Sequence, residues 1–373
     1  MLLSRLSPPV LSARFMTLAL LANSSAVSGQ EQRSSTEVLR INDDRFFDIT
    51  AGEFSDVGEI WIATDGSHQV LQFSRDGSPL RAFGREGQGP GEFQRVSDVS
   101  VAGDSIIVSD LQLGRLTTFD REGMLLGVQG LGGGWWVGAE FVDRLADGSV
   151  VLLKHEAPPG GMVGHAEFDA LLYRARQVGG EPEVVARFAG LELFYRRDGS
   201  IVRAQRIPFA RDGVAASSGS IVAYGATDEP AIKRYAPDRR LASVILAGEP
   251  VEATGELIRR EQHRLLGLAP DEDVPQAERA RMAEVPEPTT LPLYNALAVG
   301  DDGSVWVVSP SLGPDGVFPV TILRPDGSNA EVTFPRELEI LDITSDSILA
   351  VERDALDVES VVVYRLAPEA ATP

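Results

Sequence analysis

Asp301-Asp-Gly-Ser-Val-Trp-Val, followed by Thr321-Ile-Leu-Arg-Pro-Asp-Gly, is the stretch on which the fold turns. The first piece is a turn that runs into β-branched and aromatic residues. The second is a strand ending in Asp-Gly, where Gly accepts the positive φ of a tight hairpin. One such pair is only a hairpin, but the same two pieces return in the same order along the chain. The first recurs as Asp56-Val-Gly-Glu-Ile-Trp-Ile, Ala102-Gly-Asp-Ser-Ile-Ile-Val, Ala146-Asp-Gly-Ser-Val-Val-Leu, Ser217-Ser-Gly-Ser-Ile-Val-Ala and Thr344-Ser-Asp-Ser-Ile-Leu-Ala. The second recurs as Val70-Leu-Gln-Phe-Ser-Arg-Asp-Gly, Leu116-Thr-Thr-Phe-Asp-Arg-Glu-Gly, Leu171-Leu-Tyr-Arg, Ile232-Lys-Arg-Tyr-Ala-Pro-Asp and Val361-Val-Val-Tyr-Arg.

Anchored on Ile60, Ile106, Val150, Ile221, Val305 and Ile348, the six copies are separated by 46, 44, 71, 84 and 43 residues. Three of these separations match one propeller blade of about 40–50 residues, and the other two imply insertions. A further strand such as Leu80–Phe83 or Leu125–Gln129 brings each unit to four strands. The pattern therefore predicts an all-β fold, a six-bladed β-propeller. A ring removes the unpaired edges that an open stack would leave. The last unit, 341–366, has room for only three strands, while Glu37–Ile41 is a stray strand ahead of the first unit. It is expected to pair as the outer strand of blade 6. A β-sandwich has a similar strand count, but it does not repeat two pieces in fixed order six times.

Phe83-Gly-Arg-Glu-Gly-Gln-Gly-Pro-Gly-Glu-Phe, with Val99-Ser-Val, Ile106-Ile-Val-Ser-Asp and Arg115-Leu-Thr-Thr-Phe-Asp-Arg-Glu-Gly, resembles an NHL repeat. Val96-Ser-Asp stands where that repeat usually has Pro, and Leu113-Gly stands where Asn is common. The match is specific to the second unit. The whole chain is similar to TolB-like six-bladed propellers that bacteria export, a resemblance that implies fold more than activity. Gly87, Gly89 and Gly91 suit a tight crossing between blades. A phosphate cradle would need a Lys-Ser/Thr and a following helix, and neither is present.

The 373 residues are 43% hydrophobic and 24% charged, ordinary for a globular chain. Lys plus Arg number 34 against 55 Asp plus Glu, a net charge of -21, which disfavours nucleic acid as a partner. With no Cys there is no disulfide, thiolate metal site or Cys nucleophile. Residues 1–29 place Arg5 and Arg14 ahead of the apolar run Phe15–Ala22, with Ala26 and Ser28 fitting a cleavage site, and read as a signal peptide. Residues 30–373 are then expected to form a single propeller domain, exported to the periplasm or beyond the cell. The apolar run is too short to span a membrane, and a monomer is the default expectation.

Sequence position puts the long insertions on the face that carries the crossings between blades, the default binding surface. Residues 251–285 predict helix, with Leu257, Ile258, Leu265 and Leu266 on one side, as an insertion between blades 4 and 5. It is read as a cap over the mouth of the channel or, equally, as a staple sealing a blade edge. Around Tyr195–Arg211, Arg196, Arg197, Arg203, Arg206 and Arg211 meet only Asp198 and Asp212, a set able to hold an anion through bidentate guanidinium contacts. Trp135 and Trp136 point to opposite faces of one strand, so one belongs to the core and the other could stack on a ligand. With Arg95, Arg196, Arg197, Arg206 and Tyr294, these two make up the candidate ligand contacts. His155, Glu156, His165, Glu167 and Asp169 are the grouping most like a metal site, but they read as a surface loop. No cofactor is expected, and a divalent metal enters only with the alternative function below. The expected function is non-catalytic binding of a small ligand or protein. The alternative is a metal-dependent hydrolase, lactonase or lyase, with ligands gathered from several blades around the channel.

Overall fold

In a computed structural model, the described residues are 31–157, 163–246, 250–268, 272–310, 317–354 and 356–367. The predicted signal peptide lies outside them. After β1 (Glu31–Ile41), the chain makes six antiparallel meanders. The first is β2 (Ile49–Phe54), β3 (Ile60–Thr64), β4 (Gln69–Phe73) and β5 (Pro79–Phe83); the second is β6 (Val96–Ala102), β7 (Ser105–Asp110), β8 (Arg115–Asp120) and β9 (Leu125–Gly130). The third is β10 (Ala139–Arg144), β11 (Val150–Glu156), β12 (Gly164–Ala175) and β13 (Pro182–Asp198), extended by β14 (Ile201–Arg206). The fourth is β15 (Gly213–Ser218), β16 (Ile221–Ala226) and β17 (Ala231–Ala236), with the short β18 (Arg239–Arg240) and β19 (Val244–Ile245) at its edge. Two helices follow, α1 (Gly255–Leu266) and α2 (Gln276–Met282). The fifth meander is β20 (Ala296–Val299), β21 (Val305–Val308), β22 (Phe318–Leu323) and β23 (Asn329–Phe334); the sixth is β24 (Glu339–Ile343), β25 (Ser347–Arg353) and β26 (Glu359–Leu366).

The first strands of the meanders, β2, β6, β10, β15, β20 and β24, touch in that order, and β24 returns to β2. The fold is a β-propeller. Its core is divided among the interfaces between neighbouring sheets, and β3 shows why. Side chains alternate across a strand, so Ile60 and Ile62 enter the cluster shared with the sixth meander, while Trp61 and Ala63 enter the one shared with the second. A strand buried on both faces reads as an unbroken apolar run.

The N-terminal strand is longer than sequence suggested. Ser35–Ile41 pairs antiparallel with β26, the expected closure, whereas Glu31–Ser34 runs parallel to β23 and joins the fifth and sixth meanders in one sheet.

Both insertions take form. The helical stretch predicted over 251–285 contains α1, whose N-cap Thr254 accepts the N–H of Leu257 through Oγ1 at 3.3 Å and whose C-terminal Gly267 adopts φ 64°. The segment expected to be a loop around His155–Asp169 is instead largely a ladder: β11 pairs with β12 through Glu156 opposite Asp169, and β12 pairs with the 17-residue β13. Alternating polar and apolar residues, from His165 and Glu167 to Ala166 and Phe168, favour a strand with one face buried.

Candidate functional site

The N-terminal ends of the innermost strands bring several charged groups to one mouth. Arg95 immediately precedes β6, Glu140 is the second residue of β10, and Asp212 immediately precedes β15. His155, near the end of β11, accepts the N–H of Leu191 through Nδ1 at 3.2 Å. That acceptor role places the proton of the neutral ring on Nε2, which faces Asp212 Oδ1 at 3.6 Å. Asp212 is fixed by its own N–H donating to Thr227 Oγ1 at 2.9 Å, and its Oδ1 accepts from the N–H of Gly213 at 2.8 Å. Burial raises the Glu140 and Asp212 carboxyls above the ordinary range, while His155 when protonated and Arg206 act against it, joined at Glu140 by Arg95. A pair of carboxyls with raised affinity for protons, one imidazole and two guanidiniums can both donate to and accept from a polar ligand.

Beside this mouth lies a cleft of about 250 Å³, lined by Glu192, Arg206, Arg211 and Asp212 and, from α1, by Glu261 and Arg264. Two of its guanidiniums are engaged. Arg264 Nε donates to Glu261 at 2.7 Å, and Arg211 lies 3.0 Å from Glu192 and 3.5 Å from Glu167. Arg95 and Arg206 differ: among the described residues neither side chain has a hydrogen-bond or ion-pair partner.

The other sequence candidates lie elsewhere. Arg196 and Arg197 sit on the β13–β14 hairpin, where Arg196 pairs with Arg203 in register, three steps farther along the ladder than Leu193 and Arg206. Arg196 lies 3.3 Å from Glu284, and Arg197 is exposed. The five arginines do not make one anion pocket. Trp135 and Trp136 both pack, half-buried, against the cluster between the second and third meanders. Trp136 Nε1 donates to the Gly132 carbonyl at 3.1 Å, and Trp135 packs on Tyr173 with ring centroids 6.1 Å apart. The expected split between a core and a ligand-facing tryptophan is therefore absent, because the bend after Gly134 lets both rings reach the same cluster. Tyr294 borders the cleft but is fully buried, its hydroxyl donating to the Ala226 carbonyl at 2.8 Å.

Sequence reading missed an acidic row at the innermost strands. Glu53 Oε2 accepts the N–H of Val101 at 2.7 Å, Asp342 Oδ2 that of Phe54 at 2.9 Å, and Asp143 Oδ2 the hydroxyl of Ser217 at 2.6 Å. Burial pushes Glu53 up to about 8 and Asp342 up to about 6, and raises Asp98 and Asp143 as well. The signal was present: Glu53, Asp98, Asp143 and Asp342 each stand six to eight residues before the repeat anchors Ile60, Ile106, Val150 and Ile348. Among the described residues, one set of His, Asp or Glu side chains converges closely enough to hold a metal ion: His165, Glu167 and Glu192, all from the third meander.

No family model matches the chain, and no curated protein matches it. Solved structures do. A member of the DUF4221 family from Bacteroides vulgatus is similar at 9% identity and a TM-score of 0.50, over 91% of this chain and 97% of that one. A streptogramin B lyase is similar at 11% identity and TM-score 0.44, over 88% and 97% of the two chains. The calcium-binding protein regucalcin from Agrobacterium tumefaciens is similar at 11% identity and TM-score 0.43, over 89% and 95%. At such identities the likeness to the first of these carries the fold and nothing finer.

Proposed function

We propose that this chain is an exported, six-bladed propeller that binds a small ligand bearing an acidic group at its axial mouth, through Arg95 and Arg206. One observation carries the reading: two guanidiniums with no hydrogen-bond or ion-pair partner among the described residues stand at the mouth of a strongly acidic protein, beside the Glu140–Asp212 pair. Guanidinium matches carboxylate, sulfate and phosphate in planar, bidentate geometry. Glu140 and Asp212, when protonated, add hydroxyl donors to such a ligand. The cleft against α1 offers space beside these groups, which favours reading the helical insertion as a cap.

The alternative, a metal-dependent hydrolase, lactonase or lyase built around the channel, is less favoured because Glu53, Asp143 and Asp342 already accept protein donors. The test is calorimetric titration with citrate, glucuronate, inorganic phosphate and sulfate, using the purified chain and its R95A and R206A variants. At least one probe is expected to bind the parent chain, with each substitution weakening it about tenfold, the loss of one charge-assisted contact of roughly 1.4 kcal/mol. Binding unchanged in both variants, or absent for all four probes, would overturn the reading.

A further inference from the structure

We propose that His165, Glu167 and Glu192 form a site for one divalent transition-metal ion of the zinc type on the wall of the mouth cleft. His165 and Glu167 are two apart on β12, so both project from the same face, and Glu192 stands directly opposite Glu167 on β13. One ligand atom from each of the three lies within 4.8 Å of the other two. His165 Nε2 is 3.7 Å from Glu192 Oε2. Two ligands at about 2.0–2.1 Å from a tetrahedral ion stand about 3.3 Å apart, so small side-chain rotations complete the set. One imidazole with two carboxylates suits zinc and its borderline neighbours; calcium and magnesium prefer oxygen ligands throughout.

The electrostatics favour a cation here. Glu167 and Glu192 are like charges directly opposed across a ladder, an arrangement that destabilises a sheet. Arg211 compensates only in part, because its single guanidinium is shared among Glu192 at 3.0 Å, Glu167 at 3.5 Å and Asp228 at 3.7 Å. It is also anchored, with Nε donating to the Gly190 carbonyl at 3.1 Å. The two oxygens of Glu192 thereby divide their roles: Oε1 faces Arg211 and Oε2 faces His165. A charged partner that holds one carboxylate oxygen and leaves the other for a metal is the usual outer support of a metal centre. Three protein ligands leave a fourth position open. Glu192 and Arg211 both line the cleft, so an ion held here would offer its open position to the acid-bearing ligand proposed above, the one point at which this inference rests on that reading.

Zinc binding is measured by calorimetry on the chelator-treated chain, with cobalt substitution read by visible absorption as an independent report of an imidazole–carboxylate set. One ion per chain is expected. His165→Ala, Glu167→Gln and Glu192→Gln should each weaken zinc at least tenfold, and His165→Ala should shift the cobalt bands. His165 and Glu167 are exposed, so circular dichroism is expected to show these variants folded. Asp342→Asn, in the channel, should leave zinc unchanged. No zinc binding by the parent chain, equal binding by all three cleft variants, or loss only with Asp342→Asn would each overturn the proposal. Failure of the anion titration alone would leave it standing, since zinc is titrated without any anion probe.

Discussion

Glu53 reaches from β2 to β6, where its Oε2 accepts the backbone N–H of Val101 at 2.7 Å. Asp342 makes the corresponding contact from β24 to Phe54 of β2, and Asp143 spans from β10 to Ser217 of β15. The first strands of a propeller diverge from one another and cannot share a ladder. Carboxyls that cross from one to the next satisfy backbone and hydroxyl donors that would otherwise be buried without partners. The acidic row is thus first a set of clasps between sheets.

These clasps make stability depend on pH in a direction opposite to that of an ordinary paired carboxylate. Burial, with help from neighbouring acids, raises Glu53 from 4.5 to about 8 and Asp342 from 3.8 to about 6, so the folded chain holds protons that the unfolded chain releases. The contribution of Glu53 is fully present below pH 4.5 and is lost as pH rises through about 8; that of Asp342 is lost between pH 3.8 and about 6. The melting temperature is expected to fall from pH 5 to pH 8.5. Glu53→Gln, which is neutral at every pH, should flatten the upper part of that fall by about 1–3 kcal/mol, less than the full shift because Glu53 is partly exposed. An unchanged slope in Glu53→Gln would show that other groups cause the fall.

Ring closure gives a second prediction. Arg40 on β1 donates to Glu352 Oε2 at 2.7 Å, and Tyr364 donates to the other oxygen at 2.5 Å; the Glu352 side chain is only 2% exposed. Arg40→Ala leaves this carboxylate buried with one neutral partner, and should cost about 3 kcal/mol. The double variant Arg40→Ala/Glu352→Gln should recover part of that loss. Hydrogen exchange should show the amides of β1 and β26 losing protection before those of β3. Uniform loss of protection around the ring would contradict a local fastening role for this pair.

The fold was legible because a blade repeats its own logic. The turn-plus-strand pieces at Ile60, Ile106, Val150, Ile221, Val305 and Ile348 are local, and the missing fourth strand of the unit at 341–366 points to β1. The site was legible only in part. Arg95 and Arg206 could be chosen because unusual charge at a strand boundary is a local signal. Glu140, His155 and Asp212 meet only through the arrangement of neighbouring sheets, and no spacing in the chain encodes that meeting. His165 and Glu167 stood out in the sequence within the grouping most like a metal site but read as a loop, and Glu192 joins them only because β13, seventeen residues long, supplies the strand against which β12 pairs. Tyr294 was drawn to the mouth by its position in a connecting segment, although its ring packs below the cleft surface.

That placement of Tyr294 separates packing from recognition and can be tested alone. Its hydroxyl donates to the Ala226 carbonyl at 2.8 Å within a fully buried pocket, and its ring lies in the cluster with Ile232, Leu297 and Val305. Tyr294→Phe keeps the ring and leaves the Ala226 carbonyl without this donor, so it should cost about 1–2 kcal/mol of stability. Tyr294→Ala removes the ring as well and should cost about 3–5 kcal/mol through the cavity left behind. If the hydroxyl serves structure alone, the Tyr294→Phe variant will bind the anion probes as the parent does while melting at a lower temperature. Weakened anion binding in Tyr294→Phe, with unchanged melting, would instead mark the hydroxyl as a ligand contact and move the recognition surface deeper beneath α1.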